Sequence, residues 1–135
     1  VLFPNPNFLP RYDLYKRLPL LQNTTREVLV ADMQFGELME GHGGLVHGGM
    51  IGLVFDDLVG MATHCLEDVD SPAFTANLNV DFRRPVPVKT DVIARISMVK
   101  RDGRKIFFEG RLTSPDGSLL FAEASALMRI AKSML

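Results

Sequence analysis

Residues 41–62 read GHGGLVHGGMIGLVFDDLVGMA, and this stretch predicts the element around which the chain folds. It opens with a glycine-rich segment that carries His42 and His47, and continues as an apolar run of helical length without proline. Glycine lets a backbone turn sharply, so the pattern predicts a loop that leads into a helix near Gly48. The start of a helix offers unpaired N–H donors and partial positive charge, which suits a carbonyl oxygen that becomes negative during a reaction.

One face of this predicted helix combines small residues with an acid. Residues four apart share a helix face, and here they are Gly48, Gly52, Asp56 and Gly60. The remaining positions are mostly apolar, which predicts a helix buried in the middle of the domain and Asp56 in a largely apolar site. Asp57 lies about 100° further round the helix, where we expect it to be solvated or paired with another group at the edge of the helix face. A carboxylate beside an anion-stabilising helix end indicates a hydrolytic site, although an HGG tripeptide alone is also found in ordinary turns.

Bulk properties exclude several classes of protein. The chain has 135 residues, one domain by size, and a net charge of −1 that gives no reason to expect nucleic acid as a partner. The single Cys65 cannot form an internal disulfide. No run of eighteen apolar residues and no basic-then-apolar leader is present, so we expect a cytoplasmic protein without a membrane span.

Alternation of apolar and polar residues predicts the strands. They are residues 27–35, 74–83, 92–100, 105–113 and 120–130. The pairs Asp102-Gly103 and Asp116-Gly117 predict tight turns between the last three. Residues 1–25 are expected to form an N-terminal arm with a short helix over residues 12–21, and residues 26–135 the domain itself.

The order of elements predicts an α+β fold in which an antiparallel sheet of five or six strands wraps around one long helix. Small residues at Ala122, Ala124 and Ala126 would let the last strand approach the helix closely. The long edge strands of such a sheet need cover, so we expect at least a homodimer; a tetramer stays open.

Four motifs carry a resemblance to a known family. They are His47-Gly48-Gly49 with Asp56 nine positions after the histidine, TANLN at residues 75–79, RPVP at residues 84–87 and GRK at residues 103–105. In these motifs the chain resembles acyl-CoA thioesterases of the hotdog fold, in the branch of the phenylacetate-pathway (PaaI-like) enzymes and the mammalian mitochondrial thioesterase superfamily members four and five. The likeness covers most of residues 26–131.

The resemblance implies roles for five residues. Asp56 matches the catalytic acid, as general base or as nucleophile, and Gly48 matches the N–H that polarises the thioester carbonyl, with Gly49 beside it. His47 matches a histidine that shapes the loop and is counted as catalytic in some members. Thr75 matches a threonine that positions water. In this family the acid of one subunit meets the HGG loop of the other, which implies a homodimer.

The resemblance also implies a fatty or related acyl-CoA as substrate and a place in fatty acid metabolism, with no cofactor, since coenzyme A is part of the substrate. No metal is expected, because the three histidines do not show a ligand spacing with a supporting Cys or carboxylate cluster. Guanidinium groups bind phosphate well, so the candidates for the CoA phosphates are Arg83, Arg84, Arg104 and Lys105. The other interpretation of these four is a solvated strand end and hairpin.

Gly41 departs from the family pattern. Many phenylacetate-pathway enzymes have an asparagine there that orients water, so an aryl-acyl preference does not carry over, and Thr75 or His42 remain as substitutes. The acyl pocket floor is expected from Phe55, Leu58, Met61 and the partner's helix.

Alternatives remain open. A non-catalytic hotdog protein that binds acyl-CoA as a sensor or carrier would keep the fold and the basic residues. A hotdog dehydratase or hydratase would need histidine segments that this sequence lacks. His42 and His64 are interpreted as loop hydrogen-bonders rather than catalysts.

Overall fold

The computed structural model describes residues 7–17 and 26–132, and its centre is one long helix held by a six-stranded antiparallel sheet. The helix, α1, spans Gly48–His64. The strand order in the sheet is β1-β2-β6-β7-β8-β5. The sheet strands are β1 (Arg11–Lys16), β2 (Glu27–Gln34), β5 (Ala73–Phe82), β6 (Asp91–Asp102), β7 (Lys105–Thr113) and β8 (Leu120–Ile130). Two short strands, β3 (Glu40–His42) and β4 (Leu45–Val46), form a hairpin before the helix.

The predicted architecture is confirmed in its main elements. The loop leads into the helix at Gly48, and all five predicted strands are present with bounds that differ by a few residues. Gly103 and Gly117 have positive φ angles of 60° and 78°, as tight turns at these places require.

The core lies between the helix and the concave face of the sheet. Small residues on β7 and β8 bring the sheet close to the helix: Ala122 and Ala126 are buried, and a Cβ at Gly110 would lie 2.8 Å from a ring carbon of Phe55. The sheet accepts the Phe55 ring because Gly110 has no side chain. The buried helix residues are Ile51, Val54, Phe55, Leu58, Val59, Ala62 and Thr63.

The predicted helix over residues 12–21 is wrong where the structure describes it. Arg11–Lys16 form the edge strand β1, paired antiparallel with β2 from Arg11 opposite Gln34 to Lys16 opposite Leu29. Tyr12 and Leu14 alternate with outward-facing residues and pack against the core. Pairing with β2 gives the segment hydrogen bonds along its inner edge, whereas a helix this short is marginal. The rest of the predicted helix, beyond residue 17, lies outside the described residues.

One side of the molecule is left uncovered by the described residues. Strand β5 pairs only with β8, so its other edge has no neighbour there. On the adjoining helix face, Leu53 is 45% exposed, and a Cβ at Gly52 or Gly60 would meet no atom of another described element within 4 Å. The predicted burial of the helix therefore holds for its other faces, whereas the face with Gly52 and Gly60 is open among the described residues.

No helix of the described part of the chain is long and apolar enough to cross a membrane.

Candidate active site

The start of helix α1 leaves one backbone donor available. His47 is the N-cap residue, and its Nδ1 accepts a hydrogen bond from the Gly49 N–H at 2.9 Å. The His47 carbonyl accepts from Met50 and Ile51. Among the described residues no acceptor binds the Gly48 N–H, which is therefore the donor left for a ligand.

The loop before the helix is held from several sides. The backbone N–H of His47 donates to the Met39 carbonyl at 2.8 Å, and that of Val46 to Val86 at 2.8 Å. A Cβ at Gly41 would lie 2.9 Å from the Cα and Cβ of His47. An asparagine at this position, as many phenylacetate-pathway enzymes have, would require the loop to move.

Asp56 is paired with the hydroxyl of Thr75, the threonine that the resemblance singled out. Thr75 donates from Oγ1 to Oδ1 of Asp56 at 2.5 Å, and its hydroxyl lies 3.5 Å from the sulfur of Met128. Thr75 stands beside an irregularity in β5, between Thr75 and Asn77. Asp56 itself is half-buried. It follows Gly48 by eight residues, about 12 Å along the helix axis.

A pocket of about 350 Å³ opens beside the helix start. Phe82 forms one wall, with its ring 3.3 Å from the position that a Cβ of Gly48 would take. Sequence reasoning did not select Phe82 as a site residue, although it is the last inward residue of the alternating strand that contains Thr75. The lining residues are Val46, Gly48, Ile51, Phe82, Arg83, Arg84, Pro85 and Val86.

The four basic candidates do not form a single cluster within one chain. The backbone N–H of Arg84 donates to Phe121, whereas the Arg104 carbonyl accepts from Ile130 at the other end of β8. Nine residue steps along a strand separate these points by about 30 Å. Arg83 is held by Glu123 at 3.1 Å, so Arg84 is the arginine at this pocket without an ion pair to a described residue.

Other candidates lie away from this arrangement. His42 is exposed on β3, and His64 is exposed in the last turn of the helix. Phe55 and Leu58 are fully buried in the chain's own core, so they do not form an open pocket floor as predicted; Met61 is half-buried. Within residues 7–17 and 26–132, no three His, Cys, Asp or Glu side chains are grouped so that they could hold a metal ion.

In the described residues, one long helix lies inside an antiparallel sheet, which is the arrangement of the hotdog fold. The chain belongs to the thioesterase superfamily, whose sequence profile matches residues 43–121.

Three proteins illustrate the relationship. Acyl-coenzyme A thioesterase THEM4 of Bos taurus is 32% identical over 108 residues, 80% of this chain and 43% of that protein. A phenylacetic acid degradation-related protein of Ralstonia eutropha is 27% identical, with a TM-score of 0.72 over 88% of this chain and 84% of that chain. Thioesterase superfamily member 2 of Mus musculus shares the fold, with a TM-score of 0.75 at 19% identity over 90% of this chain and 83% of that chain. The chain spans less than half the length of the curated relatives it matches.

Proposed function

We propose that the protein is an acyl-CoA thioesterase that hydrolyses a fatty or related acyl-CoA to free acid and CoA, at a site shared between two subunits. The observation that carries the proposal is the pairing of Asp56 with Thr75, together with the Gly48 N–H that no described residue binds. Membership of the thioesterase superfamily supports the reaction, and the name of the THEM4 relatives supports the acyl-CoA substrate.

The chemistry follows from these groups. The Gly48 N–H donates to the thioester carbonyl oxygen, where negative charge develops as the tetrahedral intermediate forms. The Asp56 carboxylate takes a proton from water as the water oxygen attacks the carbonyl carbon, and the Thr75 hydroxyl orients that carboxylate. The carbon–sulfur bond then breaks, and the proton passes to the departing CoA thiolate. In the nucleophilic variant, the Asp56 oxygen attacks first and water releases the acid from the resulting anhydride.

Helix length argues that the two halves come from different subunits. Because a helix rises about 1.5 Å per residue, the Gly48 N–H lies about 12 Å along the axis from Asp56 of the same chain. The two groups of one chain are therefore too far apart to act on the same thioester carbonyl. Thr75 and Asp56 meet at one end of β5, and Phe82 and Gly48 at the other. Antiparallel pairing of two β5 edges about a two-fold axis would bring each Asp56 to the Gly48 of the partner.

The same pairing accounts for the divided basic residues. Arg83 and Arg84 at the end of one β5 would approach the start of the partner's β5, where the hairpin with Arg104 and Lys105 lies. We propose that the CoA phosphates bind there, with Arg84 as the principal contact.

Hydrolysis of an acyl-CoA panel, from short to long and including an aryl thioester, tests the proposal. Free CoA thiol is measured for the parent, for Asp56→Asn and for the control Glu67→Gln, which changes an exposed acid after the helix. We expect turnover by the parent and the control, and a loss of at least about 100-fold in Asp56→Asn. If the parent binds acyl-CoA but hydrolyses none of the panel, the sensor or carrier alternative replaces the proposal.

A further inference from the structure

The adjacent acids of helix α1 bind hydroxyl groups from opposite edges of the sheet. Asp56 accepts from Thr75 on β5 at 2.5 Å, and Asp57 accepts from the phenol of Tyr12 on β1, to its Oδ2, at 2.9 Å. Strands β5 and β1 are the two outermost strands of the six. One turn of the helix is therefore hydrogen-bonded to both edge strands of the sheet.

These two hydrogen bonds at one turn fix the rotation of the helix about its own axis. Neighbouring helix residues point about 100° apart, so a rotation that lengthens one hydrogen bond also disturbs the other. The Tyr12 ring packs against the core, and the pairing of β1 with β2 holds its backbone in place. Burial first, and the Asp57 carboxylate second, raise the pKa of Tyr12 well above its ordinary value, so the phenol stays protonated and donates.

We propose that Tyr12 and Asp57 form a positioning pair that aims the Asp56 carboxylate and tunes its basicity. The inference rests on the proposed function. Tyr12 acts through Asp57: its hydrogen bond holds the helix in register with β5 and disperses the negative charge next to Asp56. Loss of that bond removes one donor that stabilises the Asp57 charge beside Asp56.

Among the described residues, the sheet presents mostly apolar side chains to this turn. On the inward faces of the sheet, β2, β6, β7 and β8 present apolar side chains to the helix, and β5 presents Thr75 as its polar group. Strand β1 contributes Tyr12 and, further along, Lys16 near Cys65. His47 and His64 lie at the two ends of the helix. Among these described groups, the Tyr12–Asp57 pair lies at the same turn of the helix as Asp56.

Two variants of the pair should move the pH profile in opposite directions. Asp57→Asn keeps an acceptor for Tyr12 but removes the like charge, so the acidic limb of kcat/KM should move to lower pH by about half a unit. Tyr12→Phe removes the donor, so the limb should move to higher pH by a few tenths of a unit, with kcat roughly 3- to 10-fold lower and KM within about twofold. Tyr15→Phe is the matched control, an exposed tyrosine on the outward face of the same strand.

The measurement uses the full chain and has two readouts. The first is kcat/KM against pH for the parent and the three variants; the second is the titration of the Asp56 carboxyl, followed by NMR with carboxyl-labelled aspartate. Opposite shifts in both readouts support the pair. If Tyr12→Phe leaves the limb and the titration where the parent has them, Tyr12 only packs, and the inference is overturned whatever Asp57→Asn shows.

The two readouts separate this inference from the proposed function. A parent that hydrolyses no acyl-CoA contradicts the function, while the NMR titration still decides whether the pair sets the ionisation of Asp56. If Tyr12→Phe does not fold, Asp57→Asn alone decides, since an unmoved titration in that variant overturns the inference.

Discussion

At the scale of single residues, His47 decides which backbone donor can meet a ligand. Its side chain caps the Gly49 N–H and its carbonyl takes those of Met50 and Ile51, which leaves Gly48. The sequence predicts the HGG turn and the acid nine residues later. It cannot distinguish the two glycines, because that choice depends on the direction of the imidazole, which the folded loop sets.

Removing only the Gly48 N–H tests its role. Gly48→Pro deletes this donor at the first position of the helix, where proline is tolerated, and His47 already has the ψ of 133° that a residue before proline prefers. We expect kcat to fall by roughly 100- to 1000-fold, as for the loss of one oxyanion donor. The rate of release of CoA thiol measures it.

Gly48→Ala is the control for this change. It adds the same Cβ facing the Phe82 ring at 3.3 Å but keeps the N–H, so it should retain activity within about tenfold. Equal losses in the alanine and proline variants would show that Phe82 contact, and not the donor, governs the rate.

Arg84 and Arg83 are expected to differ despite their adjacency. Arg83 is bound to Glu123, whereas Arg84 lines the pocket without an ion pair to the described residues. Arg84→Gln should raise KM for acyl-CoA by about 5- to 20-fold, since it removes a phosphate contact, and Arg83→Gln should raise it less. An N-acetylcysteamine thioester, which has no phosphates, should be hydrolysed equally by both variants and the parent. A KM increase for that substrate too would contradict a phosphate role.

At the scale of elements, the long strands were predictable and the short edge strand was not. Residues 74–83 alternate without interruption, so period alone identifies β5. Arg11–Lys16 alternate over only six residues, and the following Pro19 is compatible with a helix end. What makes the segment a strand is the open edge of β2, a tertiary feature that local sequence does not contain. The Tyr12 to Asp57 bond was hidden for the same reason.

Because the sheet and the helix approach each other closely at Gly110, we expect a methyl group added at this position on β7 to destabilise the fold. In Gly110→Ala the new Cβ would lie 2.8 Å from Phe55 and 3.1 Å from Ile96, both buried, so we expect the free energy of unfolding to fall by about 1–3 kcal/mol. Denaturant unfolding measures it. Gly60→Ala, on the open face of the helix, should leave the free energy unchanged or raise it by up to about 1 kcal/mol. An unchanged midpoint for Gly110→Ala would mean that the core adjusts freely there.

At the scale of the whole molecule, the uncovered features lie together. In the part of the chain that the structure describes, the unpaired edge of β5, exposed Leu53 and the open glycines of α1 lie on the side of the molecule that carries Asp56 and the Gly48 N–H. The sequence predicts that such an edge needs cover, and the resemblance predicts a divided site. Neither one chain's sequence nor its fold contains the partner, so the division is a matter for experiment.

Mixed dimers test that division directly. An Asp56→Asn chain and a Gly48→Pro chain, each with its own affinity tag, are co-expressed and purified through both tags, so that every dimer contains one of each. If the site is shared, one of its two copies is built from the intact Asp56 of one chain and the intact Gly48 of the other, and about half of the parental activity should return. Doubly tagged parental dimers provide the reference value. Because a site within one chain would be damaged in both subunits, a mixed dimer no more active than either homodimeric variant would contradict the shared site, as would a parental chain that is monomeric by light scattering yet fully active.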